Sequence, residues 1–92
     1  MKKSIKKAAE IFKVLSNSSR ILILQEIARE EKCVHEISEE TDLSFSNVSH
    51  HLKTLRDNRL VDYHREGRHK FYHIMDDHVL KILRECIKHA KE

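Results

Sequence analysis

Four residues of the types that bind divalent metals lie in two pairs, Asp76 with His78 and His89 with Glu92. Their segment, DDHVLKILRECIKHAKE, has the apolar spacing of an amphipathic helix. Eleven residues from His78 to His89 correspond to about 1100° of helical rotation, so both imidazoles lie within about 20° of each other on one face. They also lie about 16 Å apart along the helix axis, which is too far for both pairs to bind one ion.

A site shared between two chains resolves this conflict. In an antiparallel, two-fold pair of such helices, Asp76 and His78 of one chain lie beside His89 and Glu92 of the other, giving two equivalent sites. Two nitrogens and two carboxylate oxygens suit tetrahedral zinc, or cobalt as its mimic. The helix also carries an apolar stripe for the dimer contact, formed by Val79, Ile82, Leu83, Cys86 and Ala90. A plain N-cap role for Asp76 and solvated positions for the other three residues remain open.

The amino-acid composition limits the classes of protein to which the chain can belong. The 92 residues form one domain, 1–92, and 36% charged residues, 5% aromatics and no proline indicate a helix-rich fold. A formal charge of +3, with eight histidines uncounted, suits a polyanionic partner. Two cysteines are too few for a secreted disulfide framework, and no apolar run could cross a bilayer or form a signal peptide. We therefore expect a cytoplasmic protein without a membrane partner.

Apolar periodicity and capping residues predict the order of the elements. An amphipathic helix over residues 4–16 precedes a buried helix that starts after Asn17 and Ser18. A short helix over 34–41, the break DLSFS and a helix over NVSHHLKTLRDN then form a helix-turn-helix. Alternating residues in LVDYHRE and HKFYHIM predict a two-stranded hairpin with Gly67 at or near its tip. The expected fold is mostly α with a small β-hairpin, a winged helix-turn-helix, followed by a last helix from Asp76.

The second helix of the helix-turn-helix and the hairpin tip carry side chains suited to DNA. In this motif the second helix enters the major groove, where polar side chains at its start meet base edges and phosphates. A cationic hairpin tip can contact the adjacent phosphate backbone. The predicted DNA-binding residues are Ser46, Asn47, Ser49, His50, Lys53, Arg65, Arg68 and Lys70. A winged helix used only for protein contacts is the alternative.

These segments resemble the ArsR/SmtB family of metal-responsive winged-helix repressors, over nearly the whole chain. The segment SFSNVSHHLKTLRDNRLV is similar to the family's recognition helix and following strand. Asp76, His78, His89 and Glu92 match its last-helix pattern, D-x-H-x(10)-H-x(2)-E/H, most closely that of the zinc and cobalt sensors. The resemblance implies a homodimer, joined through its first and last helices, that binds operator DNA when metal-free. Zinc or cobalt, as an allosteric effector, would release the DNA and free transcription of efflux or sequestration genes.

Three further residues suggest an additional site. In KCVHEI, Cys33 and His35 lie where some members of that family carry two cysteines for cadmium, lead or arsenic. Cys33 and Cys86 also allow a rival function, a repressor that senses oxidants or persulfides through its thiols. In addition, Phe45 replaces a residue that is usually polar in the family. No nucleophile–base arrangement or phosphate-binding glycine loop indicates an enzyme.

Overall fold

The computed structural model describes residues 2–92 and confirms the predicted winged helix-turn-helix. The helix-turn-helix comprises Val34–Thr41 and Phe45–Asp57, and the wing comprises the strands Val61–Glu66 and His69–Ile74. In chain order the elements are α1 (Lys3–Leu15), α2 (Ser18–Arg29), β1 (Lys32–Cys33), α3 (Val34–Thr41), α4 (Phe45–Asp57), β2 (Val61–Glu66), β3 (His69–Ile74) and α5 (Asp77–Ala90). None of the helices in this range is long and apolar enough to cross a membrane.

Polar caps fix where four of the helices begin. The side chains of Asn17, Ser44 and Asp76 accept hydrogen bonds from backbone N–H groups two or three residues ahead, at the starts of α2, α4 and α5. Helix α3 begins with a reciprocal box, in which the Glu36 carboxylate accepts from the Cys33 N–H at 3.1 Å while the Cys33 side chain accepts from the Glu36 N–H. These bonds satisfy N–H groups that have no partner within the helix.

The sheet has one more strand than the sequence predicted. Its antiparallel order is β1-β3-β2, and β1 contains only Lys32 and Cys33, opposite Tyr72 and Phe71. Two residues cannot show an alternating pattern, so the prediction of a two-stranded hairpin was incomplete. Between β2 and β3 the turn is two residues long and includes Gly67, whose φ of +61° lies in the left-handed region that favours glycine.

The hydrophobic core holds the recognition helix α4 in place. Three α4 residues, Val48, Leu52 and Leu55, are completely buried, as their spacing predicted. They pack with Ile23 of α2 and Ile37 of α3 in one cluster. Because this stripe faces inward, the opposite side of α4 is presented to solvent.

Helices α1 and α5 leave apolar surface uncovered in the single chain. On α1, Leu15 is buried, but Ile5 and Phe12 are 54% and 57% exposed. On α5, Leu83 is buried whereas Ile82, one position away, is 48% exposed. The stripe predicted from the sequence is therefore divided between the chain's own core and an open surface.

Candidate DNA-binding face and metal centre

The first turns of α4 present the predicted polar side chains to solvent. Ser46, Asn47 and His50 are exposed, and Ser49 is half-buried beside the wing. Lys53 is exposed one turn later and forms an ion pair with Asp57 at 3.2 Å. Both partners of this pair are open to water, so it leaves Lys53 free to exchange partners.

A groove of about 560 Å³ separates α4 from the wing and brings the two predicted DNA-binding segments together. Four cationic side chains line it, and its lining includes no carboxylate: Lys53, Arg56, Arg68 and Lys70. Arg65 lies directly opposite Lys70 across the hairpin. Two like charges opposite each other repel unless an anion lies between them. The geometry therefore suits a polyanion along the groove.

Tyr63 contributes to this groove, although the sequence analysis did not select it. The Arg56 guanidinium lies 4.6 Å and the Lys70 Nζ 4.7 Å from the centre of its ring. Cations over an aromatic ring are held by its quadrupole, so Tyr63 orients both side chains. The available signal was strand alternation, which places Tyr63 and Arg65 on one face of β2.

A salt bridge ties the end of α4 to the wing. The Arg56 Nε donates to Asp62 Oδ1 at 3.0 Å, and the Tyr63 backbone N–H donates to the same oxygen at 2.8 Å. The backbone bond, followed by the Arg56 bond, lowers the pKa of Asp62 below its ordinary value. The negative carboxylate therefore fixes Arg56 at the edge of the groove.

Phe45 lies at the first position of α4 and is 50% exposed. Its ring centre is 4.9 Å from that of His35, and the His35 ring is 6.2 Å from that of His69. Phe45 is thus a surface residue that contacts α3 and does not pack into the core. His35 lines the groove beside it.

At the start of α5, Asp76 and His78 form a close pair. Asp76 Oδ1 accepts from the His78 backbone N–H at 2.6 Å and lies 3.0 Å from the ring Nδ1. The backbone hydrogen bond is the main cause that lowers the pKa of Asp76. The His78 side chain is 93% exposed. One carboxylate oxygen and one imidazole nitrogen are therefore close together in a position open to a ligand.

The second pair of predicted ligands lies beyond the other end of the same helix. His89 is in the last turn of α5 and Glu92 follows it, both exposed. At 100° per residue, His78, Ile82 and His89 lie within about 40° on one face. A single chain therefore keeps the two pairs apart and aligns them along an uncovered apolar surface.

The remaining predicted ligands do not cluster within one chain. Cys33 is buried at the start of α3, while Cys86 is exposed on α5, and both are free thiols. Across residues 2–92, the donor atoms of Cys33, His35 and Cys86 belong to no group of three within 4.8 Å.

The family of the chain follows from sequence comparison. The profile described as "Bacterial regulatory protein, arsR family" matches residues 17–63, from the cap of α2 into β2. The chain belongs to the arsR family. This family is one of bacterial regulatory proteins, in agreement with the resemblance described above.

Relatives within the arsR family include proteins named for metal responses. The chain is 40% identical over 84 residues to a transcriptional repressor SmtB homolog of Synechocystis sp., covering 91% of this chain and 64% of that relative. It is 31% identical over 85 residues to a cadmium resistance regulatory protein CadC homolog of Staphylococcus aureus, covering 91% and 70%. Among arsR-type structures, a homodimeric winged helix-turn-helix DNA-binding domain from Mycobacterium bovis has a TM-score of 0.84 and 28% identity, covering 96% of this chain and 82% of its own.

Proposed function

We propose that this chain is a metal-sensing transcriptional repressor, which binds operator DNA as a metal-free homodimer and releases it when zinc or a similar divalent metal binds. Release would free transcription of metal efflux or sequestration genes. The observation that carries the proposal is the exposed face of α5, where His78 and His89 flank the uncovered Ile82. One surface thus combines metal ligands with an apolar contact.

The groove between α4 and the wing supports DNA binding. Exposed Ser46, Asn47 and His50 suit the major groove, while Arg68 at the tip suits a phosphate outside it. Phosphate contacts supply affinity for any sequence, and base contacts supply the preference. Phe45, half-exposed at the first turn, can contact a thymine methyl group.

Exposed apolar residues support a homodimer through α1 and α5. Ile5 and Phe12 on α1 and Ile82 on α5 are each about half exposed, and exposed large apolar side chains suit a contact with a second chain. The related domain from Mycobacterium bovis is described as homodimeric. In a two-fold dimer both chains contribute the same α5 face to the contact, so the Ile82 side chain of each chain is covered.

The donor set on α5 fits zinc when two chains combine. The 3.0 Å separation of Asp76 Oδ1 and His78 Nδ1 is near the spacing of about 3.3 Å between neighbouring ligands of a tetrahedral zinc ion. His89 and Glu92 are exposed and able to complete the set from an antiparallel partner. When bound, zinc supplies four short ligand bonds that hold the two helices in one relative position. The SmtB and CadC names of the relatives agree with a metal effector.

Backbone contacts connect this metal centre with the recognition helix. Met75, immediately before Asp76, donates its N–H to the Leu60 carbonyl at 3.0 Å, and Leu60 donates to Leu55 of α4 at 3.0 Å. A fixed spacing of the α5 helices would therefore also constrain α4. A bound imidazole of His78 or His89 keeps a second ring nitrogen that can donate toward backbone near Leu60. Couplings of this kind are typically about 1–3 kcal/mol, or 5- to 150-fold in affinity.

A thiol switch is the less favoured function. Its two cysteines have different environments, since Cys33 is buried as part of a helix cap and Cys86 is exposed on α5. A disulfide within one chain would require the cap of α3 to open. Conversion of Cys86 to Ser should therefore preserve metal-dependent release.

The test uses a duplex selected from a random pool by the metal-free, reduced protein. Fluorescence anisotropy then measures affinity for this duplex with and without zinc. Zinc should weaken binding of the wild-type protein and of Cys86→Ser at least about fivefold, but should have no effect on His89→Gln. Equal release in His89→Gln would contradict the α5 site, and loss of release in Cys86→Ser would favour the thiol switch.

A further inference from the structure

A second cluster of metal-ligand residues lies on the sheet face opposite the DNA-binding groove. His64 of β2 and His73 of β3 are diagonal neighbours, because His64 pairs with Phe71, two residues before His73. Glu31 immediately precedes β1, and extending the pairing of Lys32 with Tyr72 by one residue sets Glu31 opposite His73. Tyr72 faces the groove, so the alternating His73 points to the other side.

The donor atoms in this cluster are close enough for one ion. One ligand atom from each of Glu31, His64 and His73 lies within 4.8 Å of the other two. Glu31 Oε1 is 3.4 Å from His64 Nε2, and the two imidazole centres are 6.2 Å apart. Since neighbouring ligands of tetrahedral zinc are about 3.3 Å apart, the first pair already has this spacing. The other ligand atoms, at most 4.8 Å apart, must approach each other by about 1.5 Å at most, which side-chain rotations can provide.

The same cluster contains an unsatisfied nitrogen. His73 Nδ1 is buried and has no hydrogen-bond partner among residues 2–92. Buried polar atoms are nearly always paired, and a bound water or ion is one explanation of an exception. Within that range Glu31 forms no ion pair with Lys or Arg, and its side chain lies 3.4 Å from that of His64. The carboxylate is thus not already neutralised by a fixed cation.

A nearby carboxylate, in contrast, is already occupied. Asp62 lies directly opposite His73 across β2 and β3. Its Oδ1 accepts from Arg56 and from the Tyr63 backbone, so this oxygen already has two hydrogen-bond partners. The cluster therefore consists of two imidazoles and the Glu31 carboxylate, with the Glu66 carboxylate at its edge, 3.9 Å from His64 Nε2.

We propose that Glu31, His64 and His73 form a divalent metal site of the zinc class within each chain, separate from the α5 centre. Two histidines and one glutamate are a donor set that binds zinc and leaves a fourth position for water. The site would join the end of α2 to both long strands of the wing, and so fix the wing's orientation. It needs no partner chain, so it stands independently of the proposed α5 sensor.

The test counts zinc ions bound to the reduced full chain by competition with a chromophoric chelator. Wild-type protein should bind two ions per chain, and His64→Gln and Glu31→Gln should each bind one. His89→Gln should also bind one, and His64→Gln with His89→Gln none. His50→Gln, an exposed histidine outside both sites, is the matched control and should retain both ions. Because the side chains of His64 and Glu31 are 42% and 48% exposed and lie outside the core, these variants should fold, which circular dichroism would verify.

Zinc-dependent NMR of the histidine ring protons identifies the ligands directly. In His89→Gln, zinc should shift the His64 and His73 signals and leave that of His50 in place. If the wild-type protein bound one ion per chain, lost in His64→Gln but retained in His89→Gln, the wing site would stand and the α5 sensor would fail. Unchanged stoichiometry in both His64→Gln and Glu31→Gln, with unshifted His64 and His73 signals, would overturn the wing site.

Discussion

Asp76 Oδ1 lies 3.0 Å from the imidazole Nδ1 of His78 and also accepts the His78 backbone N–H at 2.6 Å. The same carboxylate therefore begins α5 and stands beside a ligand nitrogen. The capping role does not compete with metal binding, because the cap fixes the carboxylate next to His78. From sequence alone the two roles were alternatives, and the geometry permits both.

The cap predicts a pH dependence of stability. Hydrogen bonds from His78 lower the pKa of Asp76 in the folded chain, so the ionised carboxylate stabilises the fold above its ordinary value of 3.8. This contribution is lost as the pH falls through the lowered folded value. Asp76→Asn keeps a capping oxygen without the charge. Urea unfolding of metal-free protein at fixed concentration should show wild type more stable at pH 7, with the difference shrinking as the pH falls below 3.8. A difference independent of pH would contradict the charged cap.

The groove predicts a change in salt dependence when the wing loses a cation. Arg68→Ala should weaken binding to the selected duplex about fivefold at physiological salt and reduce the slope of log affinity against log salt by about 1. Arg29→Ala is the matched control, since Arg29 is 75% exposed at the end of α2, outside the groove. Anisotropy titrations across several salt concentrations measure both quantities. Equal slopes for the wild-type protein and Arg68→Ala would mean that the wing does not contact phosphate.

Because a face of α5 is uncovered in the single chain, we expect a charge introduced on that face to weaken the dimer. Ile82→Lys should raise the dissociation constant of the dimer at least tenfold, because burial of an isoleucine contributes about 1.5–3 kcal/mol and the two-fold axis brings two new charges together. Phe45→Lys is the control, since Phe45 is 50% exposed on α4, away from α1 and α5. Sedimentation velocity measures the constants. Dimers of equal strength in both variants would place the interface elsewhere.

We expect removal of a buried lysine side chain, that of Lys32, to lower stability strongly. The Lys32 side chain is 4% exposed and donates to Glu40 at 2.6 Å and to Glu26 at 2.9 Å, and these bonds, that to Glu40 first, raise the pKa of Lys32. Lys32→Ala removes the cation from Glu40 and leaves Glu26 with only Arg29, at 3.9 Å, so it should lower the free energy of unfolding by about 2 kcal/mol. The control Lys53→Ala, from an exposed pair, should change it by less than about 0.5 kcal/mol. Urea unfolding distinguishes them, and similar losses in both would contradict a special role for Lys32.

The sequence predicted the elements in which an apolar pattern repeats over many residues, and it left other features undetermined. The stripe of Val48, Leu52 and Leu55 was sufficient to orient α4, and its exposed face followed. Strand β1 escaped prediction because two residues show no period. Glu31 and His73 were also missed, since their proximity depends on that strand's register with β3. Similarly, burial of Leu83 beside exposed Ile82 depends on packing between α5 and α2, which the stripe alone cannot specify.

The most direct test of the metal sensor asks whether two chains share each site. One variant carries Asp76→Asn and His78→Gln, and the other carries His89→Gln and Glu92→Gln, both with His64→Gln to remove the wing site. Each homodimer lacks half of both α5 sites, whereas a purified mixed dimer has one complete site and one without ligands.

Cobalt(II) absorption of the reduced proteins is the readout. We expect no tetrahedral bands for either homodimer, and for the mixed dimer intense bands that saturate at one ion per dimer and disappear when zinc is added. A mixed dimer with no tetrahedral bands, or a homodimer that binds cobalt as tightly as the protein with only His64→Gln, would contradict a metal site shared between chains.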